Sequence, residues 1–202
     1  MNTILNYIFG GISLIGTVLT IFFGLKSHAL EKRKKNLTWA ELQLVIDAIC
    51  FRLKRDGYTP DVILAPGPRG AIIAELIVQR FNRNIPALIG ISYMEFTLKS
   101  MPSITNYFPF PISKGWQIYI PKTVLDYKDR RILVVDDFCL TGEFFEVLRT
   151  FLMDQGFIAG NVKVFCAVIT EVTKSANRAP EYYHMVTGDD NFYFPWGKAN
   201  TG

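Results

Sequence analysis

The sequence predicts an α/β domain, a mostly parallel sheet with helices on both faces, preceded by one transmembrane helix. Three observations carry this. The runs 62–65, 131–135 and 162–169 are almost continuously apolar, as strands covered on both faces must be. Helical patterns separate them, and strands alternating with helices build parallel sheets. Finally, residues 4–25, ILNYIFGGISLIGTVLTIFFGL, hold no charged side chain in 22 residues, enough to cross a hydrocarbon core of roughly 30 Å at about 1.5 Å per residue.

Residues 1–25 therefore form a transmembrane anchor, with 26–36 a basic juxtamembrane linker and 37–202 the folded domain. Lys26, Lys32, Arg33, Lys34 and Lys35 follow the span. By the positive-inside bias they place the C-terminal domain in the cytoplasm of a single-pass membrane protein. A cleaved signal peptide would need a basic start, a shorter apolar core and a small-residue cleavage site, and these are missing. Residues 1–36 take five of the 22 cations and one of the 18 acids, so the remaining 166 residues carry 17 of each sign. The positive balance belongs to the linker, where 26–35 can face anionic lipid. No basic stripe, zinc pattern or helix-turn-helix marks a nucleic-acid binder. Cys50, Cys139 and Cys166 are odd in number and widely spaced, which fits a reducing compartment and no metal site.

Within the domain, Thr38 and Glu41 make a capping box. Leu42, Val45, Ile46, Ile49 and Leu53 continue it at helical spacing, and Gly57 stops the helix. A strand at 62–65 leads into a PGPRG turn, a helix over 71–80 and a second strand over 87–93. Residues 97–115 read as a long loop rich in Pro, Ser, Gly and aromatics, and long loops in compact domains are often functional. Its YFPF segment, 107–110, is open between a lid tip, a dimer contact and a membrane-facing patch. Strands follow at 116–120 and 131–135, then a helix over 143–155 capped by Gly156, and a strand over 162–169.

The chemistry concentrates in RILVVDDFCLTGE, residues 131–143. An apolar strand runs into Asp136 and Asp137 at the carboxyl edge of the sheet, where open parallel sheets bind ligands. Residues 138–142 then lead into a helix whose free N–H groups suit a phosphate. Thr141 adds a hydroxyl and Gly142 allows close approach. Two acids beside a phosphate nest imply a ligand with hydroxyls, a phosphate and a divalent cation.

ILVVDDFCLTG resembles the 5-phosphoribosyl-1-pyrophosphate (PRPP) motif of type I phosphoribosyltransferases. The resemblance covers most of 38–196. It implies that Asp136 and Asp137 are catalytic and hold the ribose hydroxyls, with Phe138, Cys139, Leu140, Thr141 and Gly142 around the 5-phosphate. LAPGPRGA, 64–71, is similar to the family's pyrophosphate loop, which makes Arg69 and Gly70 candidates for pyrophosphate, with Arg69 as a merely solvated loop cation the alternative. NFYFPW, 191–196, looks like the C-terminus of purine-type members, which makes Phe194 and Trp196 candidate base contacts, with ordinary core or interface packing the alternative for Trp196. The implied reaction moves phosphoribosyl from PRPP to a purine-like nitrogenous base with release of pyrophosphate. Mg2+ is the implied cofactor, held through PRPP and waters with Asp136 and Asp137 as candidate ligands. A homodimer is a candidate assembly.

Departures from the family pattern sharpen the expectation. Leu140 stands where 6-oxopurine members carry an Asp, which weighs against hypoxanthine and guanine. Glu143-Phe144-Phe145 follow Thr-Gly where a polar residue and a hydroxyl are usual. The alternative reading is therefore a non-catalytic PRPP- or nucleotide-sensing module, or an effector of a bacterial stress or defence system. Receiver domains also open with ILVVDD, but only 66 residues follow Asp136, too few for the rest of such a domain. Cys139 reads as a small filler before a redox switch.

Overall fold

A computed structural model describes residues 36–94, 105–112, 116–188 and 192–199. The anchor at 4–25 and the linker at 26–35 lie outside the described residues. Among those described, no helix is long and apolar enough to cross a membrane.

The chain enters through α1 (Trp39–Arg55), and the capping box forms as expected. Glu41 N–H donates to Thr38 Oγ1 at 3.3 Å and Thr38 N–H donates to Glu41 Oε2 at 2.8 Å. All five residues of its periodic stripe are buried, and Gly57 turns the chain at φ +67°. Then come β1 (Val62–Ala65), α2 (Pro68–Val78), β2 (Ala87–Ile89), β3 (Ile91–Met94), β4 (Tyr107–Ile112) and β5 (Trp116–Pro121). A 3-10 turn, Lys122–Tyr127, leads to β6 (Ile132–Cys139) and α3 (Glu143–Asp154). The chain closes with β7 (Val162–Thr170), the short α4 (Glu171–Ser175), β8 (Tyr182–Thr187) and a hairpin of β9 (Tyr193–Phe194) with β10 (Gly197–Lys198).

Five strands form an all-parallel sheet in the order β2-β1-β6-β7-β8. Its two faces are read off residue by residue, because successive side chains on a strand point opposite ways. Ile63, Ala65, Leu133 and Val135 pack with α1 and α2, while Val62, Leu64, Ile132 and Val134 pack with α3. Helices thus cover both faces, as the doubly apolar strands require. The order doubles back between β1 and β6, which opens a crevice at their carboxyl ends.

Four expectations need correction. The second strand is not continuous. A Cβ on Gly90 would sit 2.6 Å from Pro66 O and 2.8 Å from Tyr119 O, and at this close approach the chain leaves the parallel sheet as β2 and enters a second sheet as β3. That sheet is antiparallel, in the order β3-β5-β4. The long loop contains β4, whose Pro109 and Pro111 mask the strand signal. Proline lacks an N–H and is tolerated on an edge strand, which β4 is. Phe108 and Phe110 pack on Phe151 of α3, with ring centroids 4.8 and 5.1 Å apart, so Phe110 of YFPF is core and Phe108 lies half-buried against it. The helix expected from residue 71 begins at Pro68, a favoured first helical residue. Last, β6 does not end before the acids. It pairs with β7 as far as Cys139, whereas its pairing with β1 stops at Val134.

Candidate active site

The overrun of β6 past β1 builds the site. Where β1 stops, the first turn of α2 takes its place against β6. A Cβ on Gly70 would lie 2.5 Å from Val135 O and 3.4 Å from Asp136 Cα, so only glycine lets the helix start this close. The result is a small, partly open cleft of about 130 Å³ at the sheet edge. Gly67 and Arg69 line it from the start of α2, Asp136, Asp137 and Phe138 from β6, and Ser92 and Ile118 from the antiparallel sheet.

Adjacent strand residues point to opposite faces, so two neighbouring acids share a ligand only where a cleft caps the edge. Both line this one. Asp137 is buried, at 4% exposure, on the α1/α2 face. Trp196 donates its Nε1–H to Asp137 Oδ2 at 3.1 Å, and Arg69 Nη1 lies 4.0 Å from the same oxygen. Asp136 Oδ1 accepts the Asp137 backbone N–H at 2.9 Å. Burial drives the Asp136 carboxyl well above its ordinary range, and the neighbouring Asp137 charge pushes it further. Burial also raises Asp137, opposed by the Trp196 hydrogen bond and by Arg69. Two carboxyls lining one cleft, one buried and one half-buried, favour a cation or a hydroxyl donor.

Beyond Phe138 the chain folds into a turn fixed from below. Thr170 Oγ1–H donates to Leu140 O at 2.5 Å, and Thr173 Oγ1–H donates to Cys139 O at 3.1 Å. Gly142 caps α3 at φ +78°, and its open side is filled: a Cβ there would meet Arg178 Cβ at 2.6 Å. Arg178 pairs with Glu143 at 3.2 Å and Glu146 at 2.8 Å, so the acids at this helix start carry their own counter-ion. Thr141 Oγ1 lies 3.4 Å from the Glu143 N–H. Cys139 is buried and its thiol is pushed up to about 11, chiefly by loss of solvent, which suits a filler.

A model of the phosphoribosyl transferase domain matches residues 35–199. The chain belongs to that family. A purine phosphoribosyltransferase from Pyrococcus horikoshii shares the fold at a TM-score of 0.59 with 23% identity, over 84% of this chain and 97% of that one. The adenine phosphoribosyltransferase of Giardia lamblia, solved with 9-deazaadenine, matches at 0.54 and 15% over 75% and 82%. A hypothetical protein of Neisseria gonorrhoeae with bound ppGpp matches at 0.54 and 19% over 81% and 89%. No curated protein matches the chain.

Within this phosphoribosyltransferase domain, Arg69, Asp136, Asp137 and Phe138 share the cleft. Arg69 is in the first turn of α2 rather than in a loop. Gly70 serves helix-to-strand packing and is not a lining residue. Cys139, Leu140, Thr141 and Gly142 form the adjoining turn. Phe194 is buried between Phe192 and Trp196, with centroids 5.0 and 5.1 Å away, which removes it from base contact. Trp196 reaches the site through its N–H. Ser92, Thr170, Thr173 and Arg178 were missed. Only the TEVT spacing at 170–173, a helix-cap pattern, could have pointed to Thr170.

The residues fit Mg2+. The pair supplies hard oxygen donors whose mutual charge a cation relieves. Among the described residues no cluster of three or more His, Cys, Asp or Glu could hold a metal alone. Mg2+ commonly binds through one or two carboxylates plus phosphates and water, and Asp136 and Asp137 would hold it that way.

Proposed function

We propose that the domain transfers a phosphoribosyl group from PRPP to a purine-like base, tethered by residues 4–25 with the domain in the cytoplasm. One observation carries the chemistry: Arg69, Asp136 and Asp137 line a single cleft at the switch point of a parallel sheet. Asp136 and Asp137 accept hydrogen bonds from the ribose hydroxyls. The 138–142 turn and the amino end of α3 receive the 5-phosphate, as helix starts do. Arg69 presents its planar fork to the pyrophosphate. The bond between ribose C1 and the pyrophosphate oxygen breaks and its electron pair leaves with that oxygen. A base nitrogen then bonds C1, and its displaced proton passes to solvent. Mg2+, when bound, neutralises charge on the departing pyrophosphate.

Isothermal titration with PRPP and Mg2+ tests the site. Wild type binds, and the Asp136→Asn/Asp137→Asn double variant loses at least tenfold in affinity, because it cannot accept from two hydroxyls while compensating a cation. Equal binding by both proteins refutes the reading.

A second reading is PRPP or nucleotide sensing without turnover. It is favoured by the ppGpp carried by the Neisseria gonorrhoeae fold relative and by Leu140, which brings no acid or base to the turn. Pyrophosphate release from PRPP over a panel of purine and pyrimidine bases separates the two. Release with any base supports the transferase, and binding without release supports the sensor.

A further inference from the structure

We infer that Trp196 is a positioning residue for Asp137, acting through its indole N–H rather than by stacking on the base. The inference rests on the phosphoribosyl reading above and gives the C-terminal hairpin its task. Trp196 donates Nε1–H to Asp137 Oδ2 at 3.1 Å. A buried carboxylate oxygen held by one donor keeps a fixed direction, and a charge-assisted bond of this kind is stronger than a neutral one.

The indole cannot swing. One face lies flat on Phe194, with centroids 5.1 Å apart and planes 3° from parallel. Trp39 meets it edge-on, at 5.8 Å and 63°. Phe194 is held by Phe192, and the hairpin is tied to the start of the domain: Leu37 N–H donates to Tyr193 O at 2.9 Å and Asn36 bridges Tyr193 in parallel. With one face on Phe194 and its N–H on Asp137, Trp196 is held where its polar atom serves the carboxylate. It has what a second carboxylate in a sugar site needs, a rigid donor on the side away from the ligand.

Trp196→Phe tests this, because it keeps an aromatic ring on Phe194 and removes the N–H, together with the indole's second ring. The expected result is a rise of about tenfold in the Kd for PRPP with Mg2+, with the base KM within twofold of wild type in a protein that still melts cooperatively. A base-stacking role predicts the reverse, a raised base KM with PRPP binding intact, and that overturns the inference. So does binding unaltered in both. If Trp196→Phe fails to fold, 15N-Trp-labelled wild type decides. The three tryptophans give three indole N–H signals, assigned through Trp39→Phe and Trp116→Phe. The remaining one, Trp196, should be slow to exchange with solvent and should shift when PRPP and Mg2+ are added. A fast-exchanging or unmoved signal overturns the inference. Failure of wild type to bind PRPP at all refutes the phosphoribosyl reading itself, and the inference with it.

Discussion

Asp136 is costly to the unliganded protein. Burial and the Asp137 charge raise its carboxyl, so the folded state binds a proton more tightly than the unfolded chain does. A group raised in this way contributes stability below its unfolded value, about 3.9, and that contribution is lost as pH rises through the folded value. The ligand-free domain should therefore lose Tm as pH climbs from mildly acidic to neutral, the pair titrating as a unit. Asp136→Asn should flatten this slope and raise Tm at neutral pH, each kcal/mol relieved being worth about 2–4 °C in a domain of this size. Thermal melts of both proteins from acid to neutral pH check it. A wild-type Tm that rises with pH in this window refutes the argument. Function held at the expense of stability is common at sites of this kind.

The element that sets the cleft is the first turn of α2. Gly70→Ala drives a Cβ into Val135 O, a backbone atom that cannot rotate away. Overpacking of this sort costs about 1–3 kcal/mol. The expected outcome is a lower Tm together with weaker PRPP binding, since Arg69 moves with the helix. A Gly70→Ala protein with wild-type Tm and affinity rules out the close approach. Legibility also divides at this scale. The stripe and capping box of α1, the runs of β1 and β7, and the acid pair with its turn were readable because their signals are local: a period, a cap, a motif. The extension of β6 was not, because it depends on β7 running alongside while β1 stops. The break at Gly90 depends on Pro66 and Tyr119, distant in sequence. β4 was hidden by two prolines that only an edge position excuses, and β8 lacks the continuous apolar run that betrayed its neighbours. In the site, Arg69, Asp136 and Asp137 were legible from residue type and place. The donor on Trp196 and the bond from Thr173 to the turn needed the third dimension, while Thr170 left only a helix-cap spacing.

The whole molecule combines a phosphoribosyltransferase domain with a 22-residue apolar segment outside the described residues. Expressed in bacteria, the full chain should sediment with membranes and resist alkaline wash, while residues 36–202 stay in the supernatant. Protease added outside intact spheroplasts should leave the domain uncut. Release of the full chain by carbonate, or cleavage in intact cells, refutes the tether or its orientation. The three thiols, Cys50, Cys139 and Cys166, are all buried, and loss of solvent pushes the first two up to about 11 and raises the third well above the ordinary thiol range. Near neutral pH they are almost wholly protonated and poorly nucleophilic. The native protein therefore carries its own silent background for maleimide chemistry: a cysteine engineered on the rim of the cleft would take a dye alone, and its emission would report occupancy in real time.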